Sequence, residues 1–154
     1  MSEQELRIRK IKNGTVIDHI SSGNALNVLK ILGITGKEGL VVSVAINVPS
    51  SKYGKKDIVK IEERVLKQAE VNKIILIAPN ATINIIKDYQ VIAKKRLKLP
   101  AELRGFPKCM NPSCITNSGE PVDSQFEVVD SEPVRLRCKY CQRITSQSDI
   151  FKQF

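Results

Sequence analysis

The stretch GTVIDHISSGNALNVLKILG, residues 14–33, changes its hydrophobic period half-way along its length. TVIDHI has the length and composition of a short strand, and the Asn13 and Gly14 pair before it is typical of a tight turn. Ser21 and Ser22 can cap a helix, and Gly33 can end it. Between them lies an apolar stripe of helical spacing, made of Ala25, Val28, Leu29 and Leu32. The stretch therefore predicts a strand followed by an amphipathic helix.

Other strands are predicted on both sides of this stretch. LRIRKI, residues 6–11, is the predicted strand before the turn. LVVSVAINV, residues 40–48, alternates strongly and predicts a strand that Pro49 stops. KIILIAP, residues 73–79, is predicted as an apolar strand, whereas TINII, residues 82–86, and YQVIA, residues 89–93, are weaker strand patterns.

A second helix is predicted to begin at Asp57. Ile58, Ile61 and Val65 would face inward, and Glu63 and Lys67 would pair on the outside. The resulting order of strands, helix, strand, helix and strands predicts an α+β fold. We expect a ferredoxin-like, mostly antiparallel sheet with two helices on one face.

The composition of the chain changes near residue 100. Cysteine is absent before this point, and all four cysteines follow it. The segment between them, KKRLKLPAEL, residues 94–103, is basic, contains Pro100 and is predicted as a linker. We therefore predict two domains, residues 1–98 and 99–154, of which the second is small, all-β and similar to a zinc ribbon.

The formal net charge of +9 lies entirely in the first part of the chain. Residues 1–100 contain 18 Lys and Arg against 9 Asp and Glu, whereas residues 101–154 contain 7 of each. This balance predicts an anionic partner for the first domain. Aromatic residues make up only 5% and Trp is absent, which argues against a binder of single-stranded nucleic acid.

The sequence gives no indication of export or membrane insertion. MSEQELRIRK, residues 1–10, is polar and charged and lacks the apolar core of a secretory signal. No apolar run approaches the ~20 residues that cross a bilayer. We therefore expect a cytoplasmic protein with no membrane partner.

The four cysteines form two close pairs with a longer segment between them. Cys109 and Cys114 enclose MNPS, and Cys138 and Cys141 enclose KY. This spacing is typical of a four-thiolate zinc site, although two disulfides, a redox CxxC and buried thiols are alternatives. One zinc ion with four thiolate ligands would be structural, because no coordination position remains for a reacting water.

Two function classes are compatible with a zinc module on a basic chain. One is a zinc-ribbon protein that binds nucleic acid. However, four thiolates and Zn²⁺ bring the neutral second domain to about −2, which disfavours phosphate binding. A surface that docks another protein fits the module better, and we expect no nucleic-acid partner.

Asp18 and His19, the only histidine, are adjacent in the predicted strand TVIDHI. Side chains of adjacent strand residues point to opposite faces, so these two are not expected to form a catalytic pair. The sequence contains no nucleophile motif and no glycine-rich phosphate loop. Asp18 suits ribose hydroxyls, and Lys60 and Lys94 suit phosphates, which favours a small anionic ligand such as a nucleotide.

An ordered set of motifs resembles the regulatory chains of aspartate carbamoyltransferase. In chain order the motifs are GTVIDHI, NVPS, GKKDIVKIE, IAPNATIN, DYQVIAK and the four-cysteine pattern with CKYC. The resemblance covers nearly the whole chain. It implies a non-catalytic subunit whose first domain binds CTP, ATP or UTP as allosteric effectors in the control of pyrimidine biosynthesis. It further implies that first domains pair into regulatory homodimers, and that zinc domains dock onto the catalytic chain and bridge catalytic trimers.

The same resemblance implies which residues bind the effector. Main-chain groups around Ile11 and Tyr89 would read the base, Asp18 and Lys60 would contact the ribose, and Lys94 would contact the phosphates. His19 and Lys56 would lie on the phosphate side, where a second nucleotide can bind through a metal ion such as Mg²⁺. For His19 this requires that the strand bends or lies at the edge of the sheet. The full implied set is Ile11, Val16, Asp18, His19, Lys56, Lys60, Asn84, Tyr89, Val91 and Lys94.

Overall fold

The computed structural model describes residues 9–51 and 54–154. The chain divides into two compact units between Lys98 and Leu99. Most of the predicted strand LRIRKI lies outside the described residues, and its described part, residues 9–11, is not in a strand. In the described part of the chain, no helix is long and apolar enough to cross a membrane.

The first unit contains one five-stranded antiparallel sheet and two helices. The strands are β1 (Gly14–Ser21), β2 (Val42–Ser50), β3 (Gly54–Glu62), β4 (Thr82–Lys87) and β5 (Gln90–Arg96), and the helices are α1 (Ala25–Ile31) and α2 (Gln68–Ile74). The strand order is β2-β3-β1-β4-β5. The first four strands and both helices follow the βαββαβ order of ferredoxin-like folds, which confirms the predicted class. β5 extends this sheet through a two-residue turn in which Asp88 and Tyr89 both have positive φ.

Alternation along the strands gives the sheet two different faces. Ile17, Val59 and Ile83 are buried in one core cluster with α1 and α2. The opposite face, which we call the open face, carries Val16, Lys60, Asn84 and Lys94. The fold therefore leaves a largely polar sheet surface on the side away from the helices.

The prediction of a helix beginning at Asp57 was wrong. Residues 54–62 form β3, in which Asp57, Val59 and Ile61 are buried and the residues between them are less so. Ile58 and Ile61 are three positions apart, a spacing that is also compatible with one face of a helix. The predicted outer pair fails because Glu63, just beyond the strand, has φ 60°.

The prediction of a strand at KIILIAP was also wrong. Lys73 and Ile74 end α2, and the rest of the segment is a turn. Ile74, Leu76 and Ile77 are buried in this helix end and turn. A short apolar run of this kind does not distinguish a buried helix end from a buried strand. TINII and YQVIA correspond to β4 and β5, as predicted.

Two predicted boundaries also differ from the structure. β2 continues through Pro49 to Ser50 because it is an edge strand, where a proline need not donate a ladder hydrogen bond. Ser21 ends β1 instead of capping α1, whose N-cap is Asn24. The carboxylate of Asp57 in β3 accepts the N–H groups of Gly23 and Ala25 at 2.9 and 3.0 Å, so the first turn is capped from the sheet.

The second unit is a four-stranded antiparallel sheet with a short helix at its end. Its elements are β6 (Glu102–Arg104), a 3₁₀ turn (Ile115–Asn117), β7 (Gln125–Ser131), β8 (Val134–Cys138), β9 (Ile144–Ser146) and α3 (Gln147–Phe151). Phe126, Leu136 and Ile150 are fully buried. The predicted linker was too long, because residues 94–96 belong to β5, Leu97 is buried in the first core and Glu102 begins β6.

Candidate metal centre and ligand-binding face

The four cysteine sulfurs converge at one point of the second unit. All four Sγ atoms lie within 4.8 Å of one another. Sγ of Cys109 is 3.6 Å from that of Cys141, and Sγ of Cys114 is 3.7 Å from that of Cys138. With Zn–S bonds of about 2.3 Å, the edge of a tetrahedron is about 3.8 Å. The four thiols are not disulfide-bonded, and their spacing fits one tetrahedrally coordinated ion.

The second pair of cysteines lies on a turn that closes on itself. The N–H of Gln142 donates to the C=O of Cys138 at 2.9 Å, and the N–H of Cys138 donates to the C=O of Arg143 at 3.0 Å. Gln142 has φ 66°, which reverses the chain directly after Cys141. Both sulfurs of this turn belong to the cluster of four.

The first pair lies on a longer loop that side chains hold. The side-chain amide of Asn117 donates to the C=O groups of Cys109 and Asn111, both at 2.8 Å. The hydroxyl of Thr116 donates to Sγ of Cys114 at 3.2 Å. Such contacts outside the ligand set orient the ligands and support a negative charge on the sulfur.

The pKa shifts of the thiols differ within the cluster. Burial raises the pKa of Cys109 to about 12 and also raises that of Cys138. At Cys141 burial acts in the same direction, but hydrogen bonds from the N–H of Arg143 and from Asn111 outweigh it and lower the pKa to about 6. A divalent cation compensates the charge that four buried thiolates would carry. The donor set therefore fits a structural metal ion such as zinc.

In the first unit, four of the implied effector residues form one row across the open face. Lys60 and Asn84 are the partners of Val16 on the two neighbouring strands, and Lys94 is the partner of Asn84. Residues directly opposite each other in antiparallel strands share a face and lie about 5 Å apart. The row Lys60–Val16–Asn84–Lys94 thus combines an amide and two ammonium groups on adjacent strands.

Asp18 lies two residues beyond Val16, on the same face. Its Oδ1 accepts the N–H of His19 at 2.6 Å and forms an ion pair with Nζ of Lys56 at 2.9 Å. Lys56, Ile58 and Lys60 are alternate residues of β3 and therefore point to the same side of the sheet. Lys56 thus also lies on the open face. The structure therefore brings Asp18 and Lys56 together beside the row.

The strand bends at His19, which is one of the two conditions under which its participation was expected. Two residues of β1, Asp18 and His19, oppose the single residue Ile58 of β3, and His19 has φ 58°. This β-bulge keeps both Ile17 and Ile20 in the core. Nδ1 of His19 lies 3.3 Å from the hydroxyl of Thr82, the residue opposite Asp18 on β4. A nucleotide contact by His19 stays a prediction.

The segment before β1 lies against the open face. Nζ of Lys60 donates to the C=O of Arg9 at 3.1 Å, and the N–H of Tyr89 donates to the C=O of Lys12 at 3.0 Å. Ile11 between them is buried, whereas Tyr89 is 59% exposed. Val91 is also exposed and lies opposite Ile86, next to the same turn. The segment around Ile11 is thus bonded both to Lys60 of the row and to the turn at Tyr89.

Basic side chains predominate on this surface. Burial lowers the pKa of Lys60 from 10.5, the carboxylate of Asp18 opposes this shift, and Lys10 adds to it. Arg96, which the sequence analysis did not name, is the partner of Thr82 and therefore lies on the same face as Asp18 and Lys94. Only the strand register assigns Arg96 to the open face, because its local sequence does not show that it points to a different face from Lys95.

Two family models match this chain. One, described as the allosteric domain of the aspartate carbamoyltransferase regulatory chain, matches residues 6–98. The other, described as the metal binding domain of the same chain, matches residues 101–151. This chain belongs to the aspartate carbamoyltransferase regulatory chain family.

Relatives from several organisms agree with the family models. The regulatory chain of Thermofilum pendens is 55% identical over 152 residues, which cover 98% of this chain and 96% of that one. The regulatory chain of Methanothrix thermoacetophila is 57% identical over 143 residues, 93% of both chains. That of Methanothermobacter thermautotrophicus is 53% identical over 150 residues, 97% of this chain and 96% of that one.

Family membership confirms the resemblance drawn from the motifs. A regulatory chain is the non-catalytic subunit of the enzyme, in the context of pyrimidine biosynthesis. The open face lies within the match to the allosteric domain, and the four cysteines lie within the match to the metal-binding domain.

Proposed function

We propose that this regulatory chain binds nucleoside triphosphates on its open face and transmits their presence to a catalytic partner. The observation that carries the proposal is the row Lys60–Val16–Asn84–Lys94, flanked by Asp18. It offers hydrogen-bonding groups and cations on adjacent strands, which is what a sugar with a phosphate chain requires.

Each group has a proposed role. Asp18 and Lys60 hold the ribose, since a carboxylate accepts from hydroxyls and a partly buried ammonium donates to them. Lys94 contacts the phosphates, and main-chain groups of Ile11 and Tyr89 read the edge of CTP, ATP or UTP. Lys56 and His19 lie where a second nucleotide would place its phosphates, with Mg²⁺ between the two.

Calorimetric titration of the full chain with CTP, ATP and UTP tests this proposal. We expect saturable binding that weakens at least about tenfold in Lys94→Ala, because one charge-assisted contact is worth more than about 1.4 kcal/mol. Lys95→Ala is the matched control: it removes the adjacent lysine of β5, which points to the other face and contacts Gln68. Absence of saturable binding, or equal losses in both variants, would contradict the proposal.

The second unit is proposed to hold one zinc ion and to dock onto the catalytic chain of aspartate carbamoyltransferase, bridging catalytic trimers. Ile115 and Tyr140, each next to a ligand cysteine, are large apolar side chains that stay exposed. Exposed apolar groups on a metal-stiffened surface favour a protein partner. Co-purification with the catalytic chain, followed by aspartate saturation curves with and without each nucleotide, tests both docking and regulation.

The first unit is proposed to pair with a second regulatory chain. β2 is an edge strand, and Val44 and Ile46 on it are exposed, as is Val41 just before it. An exposed apolar edge strand is a template for pairing with another strand. Val44→Lys should shift the isolated chain from dimer towards monomer in sedimentation equilibrium, whereas Leu26→Lys on the exposed side of α1 should not.

A further inference from the structure

The side-chain amide of Gln153 forms a two-point contact with the backbone of Lys108. Oε1 of Gln153 accepts the N–H of Lys108 at 2.8 Å, and Nε2 donates to the C=O of Lys108 at 2.8 Å. Nε2 also lies 3.6 Å from Sδ of Met110. One residue near the end of the chain thus occupies both backbone hydrogen-bonding groups of a residue that is 45 positions earlier.

The segment that carries Gln153 is itself anchored. α3 begins with a capping box in which Ser146 and Asp149 bond each other's backbone N–H, and Ile150 of α3 is fully buried. Beyond the helix, the ring of Phe154 lies 5.6 Å from that of Phe106, two residues before Lys108. Gln153 is therefore held between a fixed helix and a ring contact, and its amide needs little further ordering.

Lys108 directly precedes Cys109, so the contact with Gln153 holds the backbone next to a cysteine of the metal site. The second cysteine turn closes through its own backbone, with Gln142 bonded to Cys138. The first loop also has a backbone bond, from the N–H of Cys114 to the C=O of Asn111 at 3.0 Å, but at its start the carbonyl groups of Lys108 and Cys109 accept from the side-chain amides of Gln153 and Asn117. Asn117 belongs to the loop region, whereas Gln153 contacts it from outside.

We propose that Gln153 is a positioning residue for the metal site: its amide fixes the backbone at Lys108 and thereby keeps Cys109 directed at the ion. The inference rests on the zinc site of the proposed function. It makes residues 147–154 part of the metal site although they supply no ligand. Retention of the ion then depends on the docking of this segment, since Cys109 can leave the ion more easily when Lys108 is released.

Zinc release from the full chain tests the inference. Each zinc-loaded variant is mixed with excess chelator, and a colorimetric indicator follows the loss of the ion. Partners outside the ligand set typically change metal affinity about 10- to 100-fold. We expect Gln153→Ala to accelerate release at least about tenfold. Lys152→Ala, which removes an exposed side chain of the same segment, should stay within about twofold of the parent chain.

Two further measurements separate positioning from general destabilisation. Gln153→Glu keeps the oxygen that accepts the N–H of Lys108 but places a second acceptor against the C=O of Lys108, so its release rate should also exceed that of the parent chain. In the cobalt-substituted chain, the visible bands of tetrahedral Co²⁺ should shift in Gln153→Ala and stay unchanged in Lys152→Ala. Should Gln153→Ala fail to fold, Gln153→Glu alone decides.

The outcomes distinguish the two proposals. A parent chain that contains no zinc after purification overturns the zinc site itself. A parent chain with one zinc, together with Gln153 variants that release it within about twofold of the parent rate and keep the cobalt spectrum, overturns only the positioning role.

Discussion

The carboxylate of Asp57 accepts the backbone N–H of Asn47 at 2.9 Å and thereby ties the bulge of β2 to β3. Asn47 has φ 61°, so its N–H leaves the regular strand ladder. The other carboxylate oxygen accepts the N–H groups of Gly23 and Ala25 at the start of α1. A single fully buried side chain on the strand next to the edge therefore holds the edge strand and a helix terminus.

Asp57→Ala is expected to destabilise the first unit by about 2–4 kcal/mol, because three backbone donors lose a charged acceptor. The unfolding transition of the first unit in equilibrium denaturation measures the loss of stability, and amide exchange at residues 23–25 and 47 shows where it occurs. Asp57→Asn, which keeps one acceptor oxygen, should lose less. Unchanged exchange at these amides in Asp57→Ala would rule out the anchoring role.

Asp57 also illustrates which part of the fold the sequence predicts. Alternation in LVVSVAINV and the stripe of α1 are local patterns, and both elements are present, although their predicted boundaries differ from those in the structure. In residues 54–62 the apolar positions fit both the two-residue period of a strand and the 3.6-residue period of a helix. The buried position of β3 between β1 and β2 decides in favour of a strand. That decision depends on long-range strand pairing, which no local pattern contains.

The candidate sites divide in the same way. Ligand spacing within Cys109 to Cys114 and Cys138 to Cys141 is local, so the sequence alone predicted a metal site. The place of Arg96 on the open face depends on the register between β4 and β5, and that of His19 depends on a bulge. Side-chain direction reverses with each shift of one residue, so neither placement follows from periodicity.

Gly14→Ala is expected to cost about 3 kcal/mol or more. Gly14 has φ +141°, and a Cβ built there would lie 2.1 Å from the carbonyl oxygen of Ile61 on the paired strand. Backbone strain and overlap with a rigid backbone atom add to each other. Chemical denaturation measures the cost. Gly33→Ala is the control, since Gly33 also has positive φ but faces open space, and it should lose only about 1 kcal/mol.

Thr145→Val is expected to stabilise the second unit by about 1 kcal/mol. The Thr145 side chain is buried in β9, and among the described residues its hydroxyl finds no hydrogen-bond partner. Valine keeps the shape and removes the unsatisfied group. Thermal unfolding of the zinc-loaded chain shows whether the substitution raises or lowers the stability of the second unit. Ser124→Ala should act in the opposite direction, because the buried Ser124 hydroxyl donates to the C=O of Pro107 at 2.7 Å.

As the pH is raised, nucleotide affinity is expected to fall at a lower pH than it would for a contact made by a lysine with an ordinary pKa. Burial lowers the pKa of Lys60, so the ammonium that favours an anion is lost at a pH below 10.5. Binding favours the charged form and should therefore take up a proton in that range. Titration with CTP between pH 7.5 and 10 in buffers of different ionisation enthalpy measures both effects. In Lys60→Arg, whose side chain stays charged, the proton uptake should disappear; its persistence would assign the titration to another group.

Removal of the metal is expected to unfold the second unit and leave the first intact. The second unit spans residues 99–154, and a module of that size buries too little apolar surface to be stable without additional cross-links. Structural zinc contributes on the order of 10 kcal/mol to the folding of small modules. The first unit has its own core of Ile17, Val59 and the two helices. After chelation, amides of β7 and β8 should exchange rapidly while those of β1 and β3 keep their protection, as mass spectrometry of deuterated peptides would record. Slow exchange in β7 and β8 after complete loss of zinc would mean that the ion does not stabilise this unit.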